Sequence, residues 1–116
     1  MPLFNLTLFD SDGDNTAQAC KTTAGKLVYV HIVNPNTAQA FLQLFDLAVA
    51  SVTVGTTAPK QTYLVPAGDG VNSGAFDHDF QTDGLDFQFA ITYACTTTAT
   101  GNGDPTTGLT VNLVYR

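Results

Sequence analysis

The sequence predicts an all-β fold, an antiparallel two-sheet sandwich of about eight strands with a jelly-roll-like arrangement. Three observations predict it. All ten acidic residues are Asp and Lys plus Arg number only four, so the charged helix formers are nearly missing while turn formers are plentiful. Several segments alternate apolar and polar residues with a period of two. Between them Gly, Pro, Asn and Asp recur at the spacing of short strands joined by turns. A chain of 116 residues closes one hydrophobic core and has no room for a second, which gives a single domain over residues 1–116.

Taken in order, residues 3–9 form a first short strand inside an N-terminal stretch, 1–25, expected as a partly extended arm. Residues 26–33 (KLVYVHIV) are β-branched and apolar on both faces, which predicts a central strand covered on both sides. It stops at Asn34-Pro35-Asn36, where Pro cannot donate to a ladder. Residues 40–46 return as a strand. Phe41, Phe45 and Ala48 would also line a helical stripe over 37–50, but the hairpin-like Asn-Pro-Asn favours a strand. Short strands follow at 51–54, 61–65 and 74–80. Residues 85–95 then carry Leu85, Phe87, Phe89, Ile91, Tyr93 and Cys95 at every odd position, the pattern of one long half-buried strand. A turn-rich loop at 96–108 has too little apolar surface to pack alone and projects from one end. The last strand, 109–115, sets Leu109, Val111, Leu113 and Tyr115 on one face.

Composition also narrows function. Charged residues are 12% of the chain, about half the usual share, so much of the surface is uncharged. With eight Phe and four Tyr, this describes either an exterior covered by a partner or a large core beneath a Thr-rich skin. The net charge is −6 and Lys21, Lys26 and Lys60 are dispersed, which argues against nucleic-acid binding. Neither a basic, apolar leader nor an apolar run of about 18 residues is evident, so the expectation is no membrane and synthesis in a reducing cytosol. There, Cys20 and Cys95 are expected as two reduced, packed thiols, with one disulfide as the alternative if they sit on facing elements. Asn5-Leu6-Thr7 matches a glycosylation acceptor that has no consequence without export.

Catalysis is not expected. A nucleophile needs a base and the base an orienting group. His31 lies in the apolar central strand and His78 in an acidic loop, and there is no Gly-x-Ser-x-Gly or phosphate-cradling loop. Asp10, Asp12 and Asp14 alternate as oxygen ligands do in Ca²⁺ loops, but Gly13 is fourth rather than sixth and Lys21 stands where the twelfth-position Glu would be. They are weak metal candidates, better read as a solvated turn. Asp77, His78, Asp79, Asp83 and Asp86 form a second acidic cluster, read as a surface loop. No cofactor is expected.

The order of segments resembles small structural proteins of tailed bacteriophages. The residues that carry the resemblance are 26–36, then 40–46 ending Phe45-Asp46, then Val54-Gly55-Thr56-Thr57-Ala58-Pro59, Leu64-Val65-Pro66-Ala67-Gly68, Ala90-Ile91-Thr92-Tyr93 and 98–102. These are packing and turn motifs with no chemical signature. The resemblance implies a virion component assembled in the host bacterial cytoplasm, a capsid decoration or cement protein. Such a protein sits as a homotrimer on the major capsid protein outside the head. The alternatives are a tail or fibre module, another minor virion part, or a Ca²⁺-assisted carbohydrate-binding module, for which the absence of Trp leaves only Tyr29, Tyr63, Tyr93 and Tyr115 as sugar platforms. The expected contact elements are residues 2–9, 66–73 and 96–108, since terminal strands can add to a neighbour's sheet and small polar loops adapt to a partner.

Overall fold

The computed structural model describes residues 4–81 and 83–116. Its strands are β1 (Leu6–Gly13), β2 (Gln18–Lys21), β3 (Gly25–Asn34), β4 (Ala40–Phe45), β5 (Gln61–Val65), β6 (Gly74–Asp79), β7 (Leu85–Phe87), β8 (Ile91–Thr96) and β9 (Leu109–Tyr115). One sheet has the order β1-β9-β3-β6, with β7 also on β3, and the other has the order β2-β8-β4-β5. Every pairing is antiparallel. β7 continues β6 along the same side of β3, because β6 opposes residues 29–34 and β7 opposes residues 25–27. Counting β6 and β7 as one interrupted strand leaves eight. The first pairs with the last, β2 with β8, β3 with β6 and β4 with β5, which is the wrapped hairpin of a jelly roll.

The core lies between the sheets. Leu27, Val30 and Ile32 of β3 and Leu109, Val111 and Leu113 of β9 face Leu42 and Leu44 of β4 and Ile91, Tyr93 and Cys95 of β8, all buried. The alternation read in 109–115 is borne out, with Thr110, Asn112 and Val114 on the outer face. β3 is central, between β9 and β6, but only its inner residues are fully buried; Tyr29, His31 and Val33 are half-open on the outer face. The strands covered on both sides are instead β4 and β8. Apart from half-buried Phe41, their outer residues Gln43, Phe45, Thr92, Ala94 and Thr96 are buried as completely as their inner ones. The cover is chain, not a third sheet. Loop 46–60 reaches Thr92, whose hydroxyl donates to Leu47 O at 2.7 Å, and loop 97–108 is held by Gln43.

Four expectations are corrected. The N-terminal stretch is no arm: β1 and β2 are edge strands of the two sheets, although Pro2 and Leu3 lie outside the described residues. Residues 51–54 form no strand; a 3-10 turn at Val49–Ser51 and further turns occupy the loop over β4 and β8. The run 85–95 is two strands in different sheets. Its break at Gln88, Phe89 and Ala90 is held by one carboxylate, Asp46, which accepts their three backbone N–H groups at 2.9, 2.8 and 3.3 Å. The fourth correction concerns Asp10 and Asp12, which belong to β1 and not to a turn. A β-bulge between Asp10 and Gly13 precedes the real turn, where Asp14 accepts Thr16 N–H.

Candidate interaction surface

Two of the three expected contact elements converge at one end of the sandwich. Asn34, at the end of β3, is fully buried, and its side-chain amide donates to Ala38 O at 2.9 Å and Pro66 O at 3.2 Å. Its carbonyl oxygen accepts both the backbone N–H and the side-chain amide of Asn36, at 3.0 and 2.9 Å. Asn36 in turn clamps the third loop. Its side chain donates to Thr107 O and accepts Thr107 N–H, each at 2.8 Å, while its backbone carbonyl accepts Gly68 N–H at 2.7 Å. Asn-Pro-Asn thus ties loops 34–39, 66–73 and 97–108 into one surface, a function that Pro35 assists by ending β3 without a ladder bond.

Each loop is also fixed internally. Asp69 accepts Val71 and Asn72 N–H at 2.9 and 2.6 Å, and these bonds hold its carboxyl below the usual carboxylate range. That turn presents Val71, 91% exposed, at its tip. Gly74, where β6 begins, is required by close approach, since a Cβ there would lie 2.0 Å from Pro66 O. In the longest loop Gln43 Nε2 reaches Thr96 Oγ1 at 2.7 Å, Gly101 O at 2.9 Å and Thr98 O at 3.3 Å, while Gln43 Oε1 is buried without a partner. A pocket of about 40 Å³ lies where the loops meet, lined by Asn36, Gln39, Thr97, Pro105 and Thr106 among others. It is large enough for a water or two and not for a substrate. The only charged residues in the three loops are Asp69 and Asp104. The arrangement offers a sparsely charged, preorganised surface of small polar groups.

The third element, the N-terminal strand, is elsewhere. Leu6 opposes Tyr115 at the end of β9, whereas Gly13 opposes Leu109 beside the loops, so residues 4–9 lie at the opposite end of β1. The remaining candidates are scattered. Asp10 points into the sandwich margin, where it accepts Tyr93 O–H at 2.8 Å and Asp12 N–H at 2.9 Å. Burial and this carboxylate together push the Tyr93 phenol far above its ordinary range. Asp14 is occupied with Thr16, and among the described residues no group of three or more His, Cys or Asp side chains is placed to hold a metal ion. His31 lies on the outer face 3.7 Å from Asp77, which Tyr29 O–H also approaches at 3.4 Å. His78, with Asp77 and Asp79, lies not in the expected loop but on β6, where it is exposed and packs edge-on against Phe80, beside Tyr63 stacked on Phe76. Asp86 pairs with Lys26. Cys20 and Cys95 are free and buried, and burial pushes both thiols up to about 12.

Sequence reasoning found the loops by their composition but missed the residues that assemble them, Asn34, Asn36 and Gln43. Asn34 and Asn36 carried a signal, two amides flanking a proline at a strand end. Gln43 carried none, being one polar residue in an apolar strand. Compared with models of known protein families and with curated proteins, the sequence matches none.

Proposed function

We propose that the chain is a non-enzymatic structural protein of a tailed-phage virion that binds the major capsid protein on the outside of the head and stabilises the shell. The observation that supports this reading best is the loop end: three segments locked by Asn34 and Asn36 into a sparsely charged surface, whose pocket measures only about 40 Å³. A surface fixed before binding loses little conformational entropy when a partner covers it. The order of motifs that resembles virion proteins names the partner. The mechanism is mass action: free energy gained only in the assembled shell raises its resistance to disassembly. The net charge of −6 and the absence of a basic patch favour the outside of the shell over contact with packaged DNA.

Co-sedimentation with empty heads tests the reading. Wild type is expected to pellet with heads and to raise their disruption temperature, and Val71→Asp with Thr106→Asp, both on exposed loop positions, is expected to abolish pelleting while the fold is retained. A wild-type protein that stays in the supernatant at every concentration sinks it. Pelleting unaffected by the loop variants would move the contact off this surface.

A further inference from the structure

The two edges of the β1-β9-β3-β6 sheet are guarded very differently. The β6–β7 edge carries Asp77, His78, Asp79 and Asp86, and charged side chains on an edge strand prevent pairing with another chain. The distal half of β1 is guarded too, by Asp10, Asp12 and a bulge, and the carboxylate of Asp10 already takes Asp12 N–H. Residues 4–9 carry no charge and no bulge. They also expose Phe4, Leu6 and Phe9 to 72, 51 and 69%. We infer that this uncharged stretch, the first half of β1 together with Phe4 and Asn5 just before it, is a self-association site, at which a second copy of the chain adds the same stretch antiparallel to the first.

Self-pairing fits this segment better than a foreign strand does, because the segment complements itself. Residues directly opposite in a sheet share a face. Setting Leu6 opposite Leu6 of the second copy puts Phe4 opposite Leu8 and Asn5 opposite Thr7, so that the apolar alternation Phe4, Leu6, Leu8 forms one ladder across the twofold. Phe9 lies on the other face, diagonal to Asn5 of the second copy. Asp10 and Asp12 fall outside the paired stretch at its two far ends, where like charges are held apart. Taking about 200 Å² for a whole phenylalanine, the three exposed side chains offer on the order of 400 Å² of apolar surface per copy. With the strand backbones this makes a two-copy interface of roughly 1,000 Å², at the lower end for a specific interface. An interface at that lower end makes a weak pair that forms at high protein concentration. The twofold replaces the threefold implied by the resemblance, and it stands whether or not the head is the partner, because the loop end lies at the far end of β1 and stays open.

Sedimentation equilibrium on the full chain tests it. At about 100 μM the wild type should approach twice the 12.2 kDa chain mass, and the pair should tighten with added salt, since each copy carries −6. Leu6→Asp should remain at the single-chain mass throughout. Leu6→Cys should give a disulfide-linked pair on mild oxidation, whereas Val71→Cys, more exposed but on the loop end, should not. A single-chain mass at this concentration, a mass of three copies, or a pair that survives Leu6→Asp would overturn the inference; should Leu6→Asp fail to fold, the Leu6→Cys cross-link decides alone. Head pelleting by Leu6→Asp separates this site from the proposed function: a monomer that still pellets leaves both standing, and a wild-type pair that ignores heads removes only the function.

Discussion

Replacing Asp46 should do more damage than its position at the surface suggests. Its carboxylate takes three successive backbone N–H groups where the chain leaves β7 and crosses to β8. Two of the bonds are short and solvent-accessible, and the third is long. A hydrogen bond to a charged group contributes about 1.5–3 kcal/mol when shielded, and solvent screening at this half-open site brings the two good ones nearer 1 kcal/mol each. Asp46→Ala should therefore cost about 2 kcal/mol, or about 8 °C in Tm for a domain of this size. Asp46→Asn keeps one acceptor oxygen, loses the charge, and should cost about half as much. Burial alone would raise the Asp46 carboxyl, but the three N–H bonds and the nearby Lys60 more than offset it and leave it below its ordinary 3.8. A carboxyl depressed in the folded state stabilises at pH above its unfolded value, and that stabilisation disappears as pH falls through the folded value. Urea unfolding followed by far-UV circular dichroism should thus show the wild type and Asp46→Ala well separated at pH 7 and converging below pH 3. Equal separation at both pH values would refute the assignment of the effect to the ionised carboxylate.

Three further outcomes follow from the packing. Gly74→Ala, whose Cβ would meet the Pro66 carbonyl, should cost about 3 kcal/mol in urea unfolding because two backbones must move apart. Gln43→Leu should cost about 2 kcal/mol by releasing Thr96, Thr98 and Gly101, and hydrogen exchange should accelerate at Gly101 and its neighbours while β9 stays protected. Cys20 and Cys95, both with thiols pushed up to about 12, should ignore a disulfide reagent at pH 8 in the native protein and both react once it is unfolded.

Where one strand stays in one sheet it was legible: 109–115, read from its alternation, and 61–65, read from its bounding turn residues, coincide with β9 and β5. The run 85–95 shows why the rule fails elsewhere. Odd-position apolar residues continue through Phe89, which is 60% exposed, because a period of two records facing but not the sheet to which a residue belongs. What breaks the run is Asp46, more than forty positions earlier, and no local window contains it. The burial of β4 and β8 on both faces was equally hidden, since loops distant in sequence supply the cover. The expected strand at 51–54 belongs to that cover, whose Val52 and Val54 are half-buried without a ladder. In the loop end, composition identified two of the participants, whereas their convergence depends on strand order, which a single sequence does not encode locally.

The double duty of loop 97–108 sets a limit on how this protein can change. Its outer side belongs to the contact surface proposed above, while its inner side is bonded to Gln43 on the buried outer face of β4. A lineage under pressure to recognise a new partner could not freely lengthen or exchange that loop without uncovering buried Gln43 and Thr96 and breaking their hydrogen bonds. The turn at Asp69 to Asn72 is different, because it closes on its own carboxylate and holds Val71 clear of the body. Diversity should accumulate there first, and a peptide grafted for display would be tolerated at that turn and rejected a few ångströms away.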